Sequence, residues 1–465
     1  MSELKDFIDQ EYLDNLIKEN RKPSKNEVLE VLKKGEEKKG LSVEDVFVLL
    51  QNDDEELKDE MFSLALKIKE EIYGNRLVIF APLYVTNECG NICAYCGFRA
   101  DNRDLHRRTL TLDEIKEEVK ILEDQGHKRI LMVYGEHPQF KVDWIKETIL
   151  AAYSVKSGNG EIRRINVNSA PMSVEDFKIL KSSGIGTYQC FQETYHRKTY
   201  EKVHIGGKKR DYLYRLYSLD RAQEAGIDDV AMGVLFGLYD YRFEVMALIQ
   251  HALHLEEVFG VGPHTISFPR IEPALGAPLS EHPPFEIKDE DFKKIVAILR
   301  IAVPYTGLIL TTRETASFRR ELFKLGVSQI SAGSRTYPGA YHDALTNKPD
   351  MQQFTIGDTR SLDEVIYDIA THGYIPSFCT SCYRSGRTGE NFMKEAKGEH
   401  IHTFCQPNAL LTFTEYLEDY ASEKTKEVGY KLVEDEVLRM EDSPLKKKFI
   451  EKLGKTKEGK RDLYF

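Results

Sequence analysis

The spacing of hydrophobic positions changes twice along the chain. Residues 1–75 carry apolar side chains at helical spacing, and Ser42 opens a stretch with the features of a capped helix start. From about residue 77, short β-rich runs alternate with amphipathic stretches, and this alternation stops after Pro338. The pattern predicts three regions: an N-terminal helical extension at 1–75, an α/β domain at 76–340 and a C-terminal helical domain at 341–465.

The central region contains eight runs with strand character, separated by helical stretches. Alternating strands and helices predict a parallel sheet, and eight such units in about 260 residues predict a closed (β/α)8 barrel of the TIM type. An open doubly wound sheet is the alternative. The predicted strands are Leu77–Tyr84, Arg129–Tyr134, Arg164–Val167, Thr187–Phe191, Asp229–Phe236, Thr265–Pro269, Leu308–Thr312 and Ser328–Ser331. The clearest predicted helices are Leu112–Gln125, Asp176–Ser183, Tyr212–Ala225 and Asp289–Ile301.

Polar residues follow every one of the eight predicted strands. Cys89 comes after the first strand, Glu136 after the second, Asn168 after the third and Arg313 after the seventh. The loops that follow barrel strands carry the chemistry of this fold. The eight polar strand ends therefore predict the wall of one active site.

Composition excludes two classes of partner. Asp and Glu outnumber Lys and Arg by 76 to 65, and a net charge of −11 argues against nucleic-acid binding. No apolar run approaches the roughly 20 residues that cross a bilayer, and the acidic start lacks the apolar core of a signal peptide. We expect a soluble cytoplasmic protein without nucleic-acid or membrane partners.

Six of the seven cysteines form two triplets, a pattern that suits metal binding in a reducing compartment better than disulfides. Cys89, Cys93 and Cys96 have the spacing C-x3-C-x2-C. Three thiolates on one loop can hold three irons of a [4Fe–4S] cluster, and the fourth iron then stays open to a substrate or cofactor. A zinc loop is the alternative, although no fourth Cys or His lies close by in the sequence.

The first triplet directly follows the first predicted strand and has Tyr95 just before its last cysteine. In these features the chain resembles the radical S-adenosylmethionine superfamily. The resemblance implies that the open iron binds S-adenosylmethionine, and that cleavage of this cofactor yields a 5′-deoxyadenosyl radical that abstracts hydrogen from the substrate. It also implies cofactor contacts from the amino-group site Gly135 and Glu136, the carboxylate partner Arg215, and the ribose contacts Asn168 and Ser169.

The second triplet lies in the C-terminal region with the spacing C-x2-C-x22-C, and its position favours an additional iron–sulfur cluster. The alternative is a zinc site completed by histidines. Cys190, inside the fourth predicted strand, is interpreted as a small buried hydrophobe. The residues concerned are Cys379, Cys382 and Cys405, with His400 and His402 as the alternative zinc ligands.

With both triplets, the chain closely resembles the tyrosine lyases of [FeFe]-hydrogenase maturation (HydG type). Through the barrel it is similar to the thiamine-pathway tyrosine lyase, which is not expected to carry the second triplet. The resemblance implies cleavage of the Cα–Cβ bond of L-tyrosine to p-cresol and dehydroglycine. It further implies that dehydroglycine becomes carbon monoxide and cyanide at the second cluster. The product is an Fe(CO)(CN) unit carrying cysteine, a precursor of the hydrogenase H-cluster. The implied partners are a reductant such as ferredoxin or flavodoxin and other hydrogenase maturases.

Charge, position and the resemblance together suggest residues that bind the substrate and the extra iron. Arg313 is the predicted clamp for the tyrosine carboxylate, helped by Ser331 or Ser334. An ion pair of this arginine with Glu314 or Glu272 is the alternative. His264 precedes the sixth strand, at the opposite end of the barrel. A lone histidine there is usually a packing residue, but the resemblance implies a ligand of the extra iron. The phenol partner stays open among His137, Glu193 and Tyr195.

Two rival functions remain at this point. One is a related aromatic amino acid lyase without cyanide synthesis, whose tail cluster only relays electrons. The other is a non-catalytic iron–sulfur scaffold, against which stands the cost of burying unmatched polar groups at every strand end. Outside the barrel we expect a linker at 339–358 and, at 452–461, a solvated helix face that leads into a frayed terminus.

Overall fold

Eight parallel strands close into a barrel in the computed structural model, which describes residues 4–346, 352–389, 391 and 401–465. Each strand pairs with the next along the chain, and the eighth pairs with the first through Val78 and Gln329. This closure confirms the TIM-type barrel, because an open sheet would leave two strands at its edges. The strands are β1 Arg76–Thr86, β2 Arg129–Tyr134, β3 Arg164–Asn168, β4 Tyr188–Gln189, β5 Val230–Gly233, β6 Thr265–Ser267, β7 Gly307–Leu310 and β8 Gln329–Ser331.

Helices surround the barrel and form both flanking regions. Two short strands outside the barrel, Ile92–Cys93 and His204–Gly206, pair antiparallel, and Lys208–Arg210 forms a 3₁₀ turn. The helices are α1 Gln10–Glu19, α2 Lys25–Glu36, α3 Val43–Gln51, α4 Glu55–Tyr73, α5 Leu112–Asp124, α6 Val142–Tyr153, α7 Val174–Lys181, α8 Arg197–Val203, α9 Tyr212–Leu216, α10 Ser218–Glu224, α11 Tyr241–Phe259, α12 Pro278–Glu281, α13 Asp289–Ala302, α14 Ala316–Phe323, α15 Ala340–Leu345, α16 Leu362–Thr371, α17 Ser381–Arg384, α18 Ile401–Asp419, α19 Glu423–Arg439 and α20 Pro444–Lys457.

The N-terminal helices form as the sequence predicts. Ser42 caps α3 by accepting from the backbone N–H of Asp45, whose side chain accepts from the backbone N–H of Ser42 in return. Helix α4 packs on α13, which lies between α4 and the barrel. Helix α13 buries ten of its 14 residues, because it is covered on two sides. Within the described residues, no helix combines the length and apolar character that crossing a membrane requires.

The helix predicted at Tyr212–Ala225 is broken into α9 and α10. Tyr217 leaves the helical conformation, with φ −84° and ψ 16°. The break frees the carbonyl of Tyr214, which accepts instead from Nη2 of Arg221 at 2.6 Å. A hydrogen bond from a side chain to the backbone seven residues earlier leaves no mark in the hydrophobic pattern.

The stretch 339–358, predicted as a linker, contains helix α15. The carboxylate of Glu118 accepts from the backbone N–H groups of Tyr341 at 3.1 Å and His342 at 2.7 Å. Glu118 therefore satisfies free N–H groups in the first turn of α15 from a distant helix, α5. The sequence prediction was wrong here because the cap lies more than 200 residues away.

The C-terminal region is mostly helical, as predicted, and it also contains a ninth strand. Strand β9, Ile375–Ser377, pairs parallel with Arg76–Val78 at the start of β1. It brings the chain to the mouth of the barrel where the strands begin. The prediction of a frayed terminus is wrong, because Arg461 pairs with Asp419, and Phe465 donates its backbone N–H to Asn408.

Candidate active site

The first cysteine triplet sits on a loop directly after β1, at the mouth of the barrel where the strands end. Cys93 is buried, and Cys89 and Cys96 are half-buried. Arg107 holds this loop by donating from Nη1 to the carbonyls of Asn87 at 2.7 Å and Phe98 at 2.9 Å. The loop is therefore folded by contacts that do not involve its thiols.

The predicted cofactor contact Gly135 lies where only glycine fits. A Cβ on Gly135 would lie 2.2 Å from the backbone carbonyl of Glu88, because the loop after β2 passes directly over the cysteine loop. The backbone N–H of Gly90 donates to the carbonyl of Glu136 at 2.9 Å. The two loops form one rigid wall.

Beside this wall lies a buried network of two acids and two bases. Arg215 contacts Glu136 at 2.8 Å, and Lys209 contacts Glu193 at 2.7 Å. Burial disfavours the charged form of Glu136, but Arg215 and Lys209 outweigh it and hold the pKa of this carboxyl below its usual value. Asn91 donates to the second carboxylate oxygen of Glu136 at 2.9 Å. The predicted cofactor contacts Glu136 and Arg215 are thus brought together and neutralise each other.

The backbone at Glu193 is strained. Its φ of 70° lies in the left-handed region that side chains other than glycine rarely adopt. The strained conformation accompanies the contact of the Glu193 carboxylate with Lys209.

A cavity of about 220 Å³ connects these groups with the barrel interior. Most of the residues predicted for the first site line this cavity. Ser169 does not line it, and the backbone carbonyl of Ser169 accepts from the Tyr188 hydroxyl. Phe80, Leu131 and Ile309 form an apolar cluster at the inner end. The predicted residues on its wall are Cys89, Cys93, Cys96, Tyr95, Gly135, Glu136, Asn168, Arg215, Arg313, Ser331 and Ser334.

Arg313 faces this cavity without a carboxylate partner among the ion pairs of the described residues. Glu314 pairs instead with Arg270 at 3.0 Å. Glu272 also lines the cavity, and its pKa is raised by burial and by Glu314, while Arg313 opposes the rise. The ion pair with Glu314 that sequence reasoning left open is therefore not formed.

Two serines were proposed to help Arg313, and the structure separates them. The hydroxyl of Ser331 accepts from the backbone N–H of Thr312 at 3.1 Å, so it supports the loop that carries Arg313. The buried Oγ of Ser334 has no hydrogen-bond partner in the described part of the chain, and neither has Oγ1 of Thr336. Both of these hydroxyls belong to the cavity wall.

Only one of the three phenol candidates reaches the cavity. Glu193 lines it, whereas the hydroxyl of Tyr195 contacts His251 at 2.7 Å and His137 lies outside the wall. Sequence reasoning also missed Lys209, Gln353 and Phe354 on the wall. Lys209 stands in a basic run and the other two in the supposed linker, so no pattern marked them.

The second triplet lies at the opposite mouth, around a cavity of about 50 Å³. Cys379 follows β9, Cys382 lies in α17 and Cys405 in α18. A hydrogen bond between Cys382 and Cys405 lowers the pKa of Cys405 and raises that of Cys382. Arg129 donates to the carbonyl of Cys379 at 2.6 Å, and Arg76 also lines the cavity. The segment from β9 to α17 and helix α18 thus converge on one small space.

His264 lies on the wall of this second cavity, as its position before the sixth strand predicted. Its Nε2 contacts the hydroxyl of Tyr383 at 3.0 Å, and its Nδ1 lies 3.6 Å from the carboxylate of Asp229. A metal at Nε2 would have to displace the tyrosine hydroxyl. His400 and the side chain of His402, the alternative zinc ligands, lie outside the described residues. No three Cys, His, Asp or Glu side chains in the described ranges converge at the distances of one metal ion.

Two family models match the chain. The radical SAM superfamily model matches residues 83–252, and the Biotin and Thiamin Synthesis associated domain matches residues 267–375. The first match includes the cysteine loop, Glu136 and Arg215. The barrel and its cysteine loop define a radical SAM enzyme.

Similar proteins of known structure or function identify the family within this class of enzymes. The chain is 50% identical to a solved HydG structure, "a maturase of the [FeFe]-hydrogenase", with 99% of this chain and 100% of that one covered and a TM-score of 0.95. HydG from Carboxydothermus hydrogenoformans is 41% identical, with 96% and 98% covered and a TM-score of 0.82. The 2-iminoacetate synthase of Escherichia coli (strain K12) is 31% identical, with 72% of this chain and 86% of that one covered. The chain belongs to the HydG family of radical SAM lyases.

The superfamily implies a [4Fe–4S] cluster and S-adenosylmethionine, and the first site fits both. Three thiols on one cavity wall are the donors that such a cluster requires. Burial raises the pKa of Cys89 to about 11, so its thiolate form needs a cationic partner such as bound iron. Glu136 and Arg215 offer opposite charges to the ammonium and carboxylate of an amino acid.

Proposed function

We propose that the protein is a tyrosine lyase that also makes carbon monoxide and cyanide. It cleaves the Cα–Cβ bond of L-tyrosine to p-cresol and dehydroglycine at the first site. At the second site dehydroglycine is converted to carbon monoxide and cyanide, which build an Fe(CO)(CN) precursor of the hydrogenase H-cluster. The observation that carries the proposal is the pair of cysteine sites at opposite mouths of one barrel.

Glu136 and Arg215 bind the methionine part of the cofactor in this proposal. Their present contact at 2.8 Å opens, and each charge then meets its opposite on the zwitterion, so the buried network stays neutral. Asn168 contacts the ribose, and Tyr95, packed on the loop of the first triplet, shields it from water. When bound, the cluster and S-adenosylmethionine supply the radical that takes a hydrogen atom from the substrate.

Arg313 binds the tyrosine carboxylate. Its guanidinium lies over the ring of Phe354, 3.4 Å from the ring centroid, which fixes its plane. The hydroxyls of Ser334 and Thr336, which have no partner in the described residues, supply further donors on the same wall. The apolar inner end of the cavity then limits the access of water to the cleaved fragment.

The second site holds an iron–sulfur cluster with an extra iron. Cys379, Cys382 and Cys405 bind the cluster, and His264 binds the extra iron after Tyr383 yields its contact. Free cysteine is the further ligand that we propose for this iron, and ferredoxin or flavodoxin supplies electrons in a reducing cytoplasm. Other hydrogenase maturases receive the product. In the proposed division into regions 1–75, 76–340 and 341–465, the barrel carries the first chemistry, and the tail supplies the three cysteines of the second site.

Two features support this function over a lyase without cyanide synthesis. The HydG structures match nearly the whole chain, whereas the 2-iminoacetate synthase matches 72% of it. The name of that synthase gives 2-iminoacetate, which is dehydroglycine, as its product, and this supports the first step alone. The second triplet supports the further conversion.

Anaerobic turnover with reductant, S-adenosylmethionine and L-tyrosine tests the proposal. We expect p-cresol, cyanide and carbon monoxide together. p-Cresol without cyanide would leave only the simpler lyase, and absence of all three products from iron-replete protein would overturn both functions. Phenylalanine in place of tyrosine is the control for substrate identity.

A further inference from the structure

A short segment crosses the mouth of the barrel directly above the first site. We call Gln353–Asp358 the strap. The backbone N–H of Thr355 donates to the carbonyl of Pro273, and that of Gly357 donates to the carbonyl of Thr312, each at 2.9 Å. A Cβ on Gly357 would lie 2.3 Å from the carbonyl of Arg313, so the strap rests directly on this loop. The strap is fixed in place by backbone contacts.

The first residue of the strap touches the cysteine loop. A Cβ on Gly97 would lie 2.8 Å from the backbone carbonyl of Gln353, so the two backbones are in close contact. The side chain of Gln353 donates from Nε2 to Sγ of Cys96 at 3.5 Å. Its Oε1 accepts from the hydroxyl of Tyr84 at 2.8 Å. A thiolate ligand can only accept, so the N–H end of the amide faces the sulfur of Cys96, and the carbonyl end faces the Tyr84 hydroxyl, which can donate.

We propose that Gln353 is a positioning residue for the first cysteine triplet, and that its N–H donation to Cys96 raises the reduction potential of the cluster held there. The inference rests on the proposed function only in requiring a redox-active cluster at this triplet. Tyr84 has a supporting role, because it orients the amide of Gln353.

The physical reason is the charge that reduction adds. An added electron increases the negative charge on the iron–sulfur unit and its ligand sulfurs. An N–H dipole aimed at one of these sulfurs stabilises the reduced state more than the oxidised one, and hydrogen bonds to sulfur are among the features that set such potentials. The low polarity of the surroundings strengthens the effect, since Phe98 and Tyr84 pack against Cys96.

Redox titration of the reconstituted full chain tests the inference. The readout is the midpoint potential of the paramagnetic signal that changes when S-adenosylmethionine is added, because that response marks the first site. Gln353→Leu should shift this midpoint to a more negative value, and Tyr84→Phe should shift it less in the same direction. Thr355→Val, in the same strap but without a contact to the cysteines, should leave it unchanged.

Iron and sulfide content separate the possible failures. If iron-replete Gln353→Leu has the same midpoint as Thr355→Val, the role of Gln353 is wrong while the proposed function stands. If Gln353→Leu does not retain iron, Tyr84→Phe decides, because it keeps the glutamine and removes only the group that orients it. Wild-type protein without a signal that responds to S-adenosylmethionine would overturn the proposed function and this inference together.

Discussion

The two cysteine sites are built in opposite ways. In the first, one short loop carries all three thiols, and Arg107 and its neighbours hold that loop from within. In the second, Cys379 and Cys382 are three positions apart, but Cys405 lies in α18 and meets them because α18 packs against β9. The first site therefore depends on local contacts and the second on tertiary packing. We therefore expect that the thiols of one site can be replaced without loss of the other site.

The charges around the two sites differ as well. Acids and bases alternate beside the first site, where Glu136 contacts Arg215 and Glu193 contacts Lys209. The second cavity is lined by Arg76 and Arg129, and Nε of each has no partner among the described residues. A balanced network suits a zwitterion, whereas a cationic wall suits thiolates and other anions. These charges support the proposed binding of an amino acid at the first mouth and of anionic ligands at the second.

The largest effect is expected from Cys93→Ser. Loss of one thiolate removes a ligand of the first cluster, so p-cresol formation should fall to background. Turnover measured by chromatography of p-cresol checks this, and Cys190→Ala is the control, since that thiol lines neither cavity. Persistent p-cresol formation by iron-depleted Cys93→Ser would disprove the assignment of chemistry to the first mouth.

The double substitution of Cys379 and Cys382 by Ser should separate the two activities. Because the first loop folds without the tail cysteines, p-cresol should still form while carbon monoxide and cyanide disappear. Carbon monoxide can be trapped by haemoglobin, and cyanide can be measured after derivatisation. If p-cresol also vanished in folded protein with its first cluster intact, the two sites would not be independent.

A smaller effect is expected from Arg313→Lys, which keeps the charge but loses the planar pair of donors. A charged hydrogen bond contributes about 1.5–3 kcal/mol, so KM for tyrosine should rise by roughly 10- to 100-fold. The midpoint potential of the first cluster should stay near that of the wild type. An unchanged KM would mean that another group binds the carboxylate.

The smallest expected effect is a change in the pH dependence of thermal stability caused by Glu244, a buried residue of α11. Burial raises the pKa of Glu244 to about 8, and its carboxyl accepts from the backbone N–H of Tyr195 at 2.9 Å. This group stabilises the fold fully below its ordinary pKa of about 4.5, and the contribution is lost as pH rises through about 8. Glu244→Gln stays neutral, so its thermal unfolding midpoint should exceed that of wild type at pH 9 and match it near pH 4. Parallel pH profiles for both proteins would show that Glu244 is charged in the fold.

The barrel and the first site could be predicted because short stretches of sequence contain the evidence for both. The same order of strand, loop and helix repeats along the barrel, and Cys89, Cys93 and Cys96 lie within one of these loops. Position in the strand order also placed Arg313 on the cavity wall. What these residues bind stays a prediction that the experiments above address.

Most of the features that sequence missed depend on contacts between distant residues. Glu118 caps helix α15 from α5, whereas Arg221 contacts the break between α9 and α10 from seven residues away. Gln353 reaches Cys96 across 257 positions, in a stretch with no periodicity. Strand β9 is too short to stand out among helices. Periodicity reports which face of an element is buried, but not which distant element covers it.

The pairing of β9 with the start of β1 has a practical consequence for dissecting the protein. Deleting the tail would strip Arg76–Val78 of its partner and leave the N–H and C=O groups of an apolar strand exposed at an edge, where other chains can add to it. A shortened chain would thus be prone to aggregation for reasons unrelated to catalysis. The two chemistries are better separated by single-atom changes at sulfur than by cutting the polypeptide.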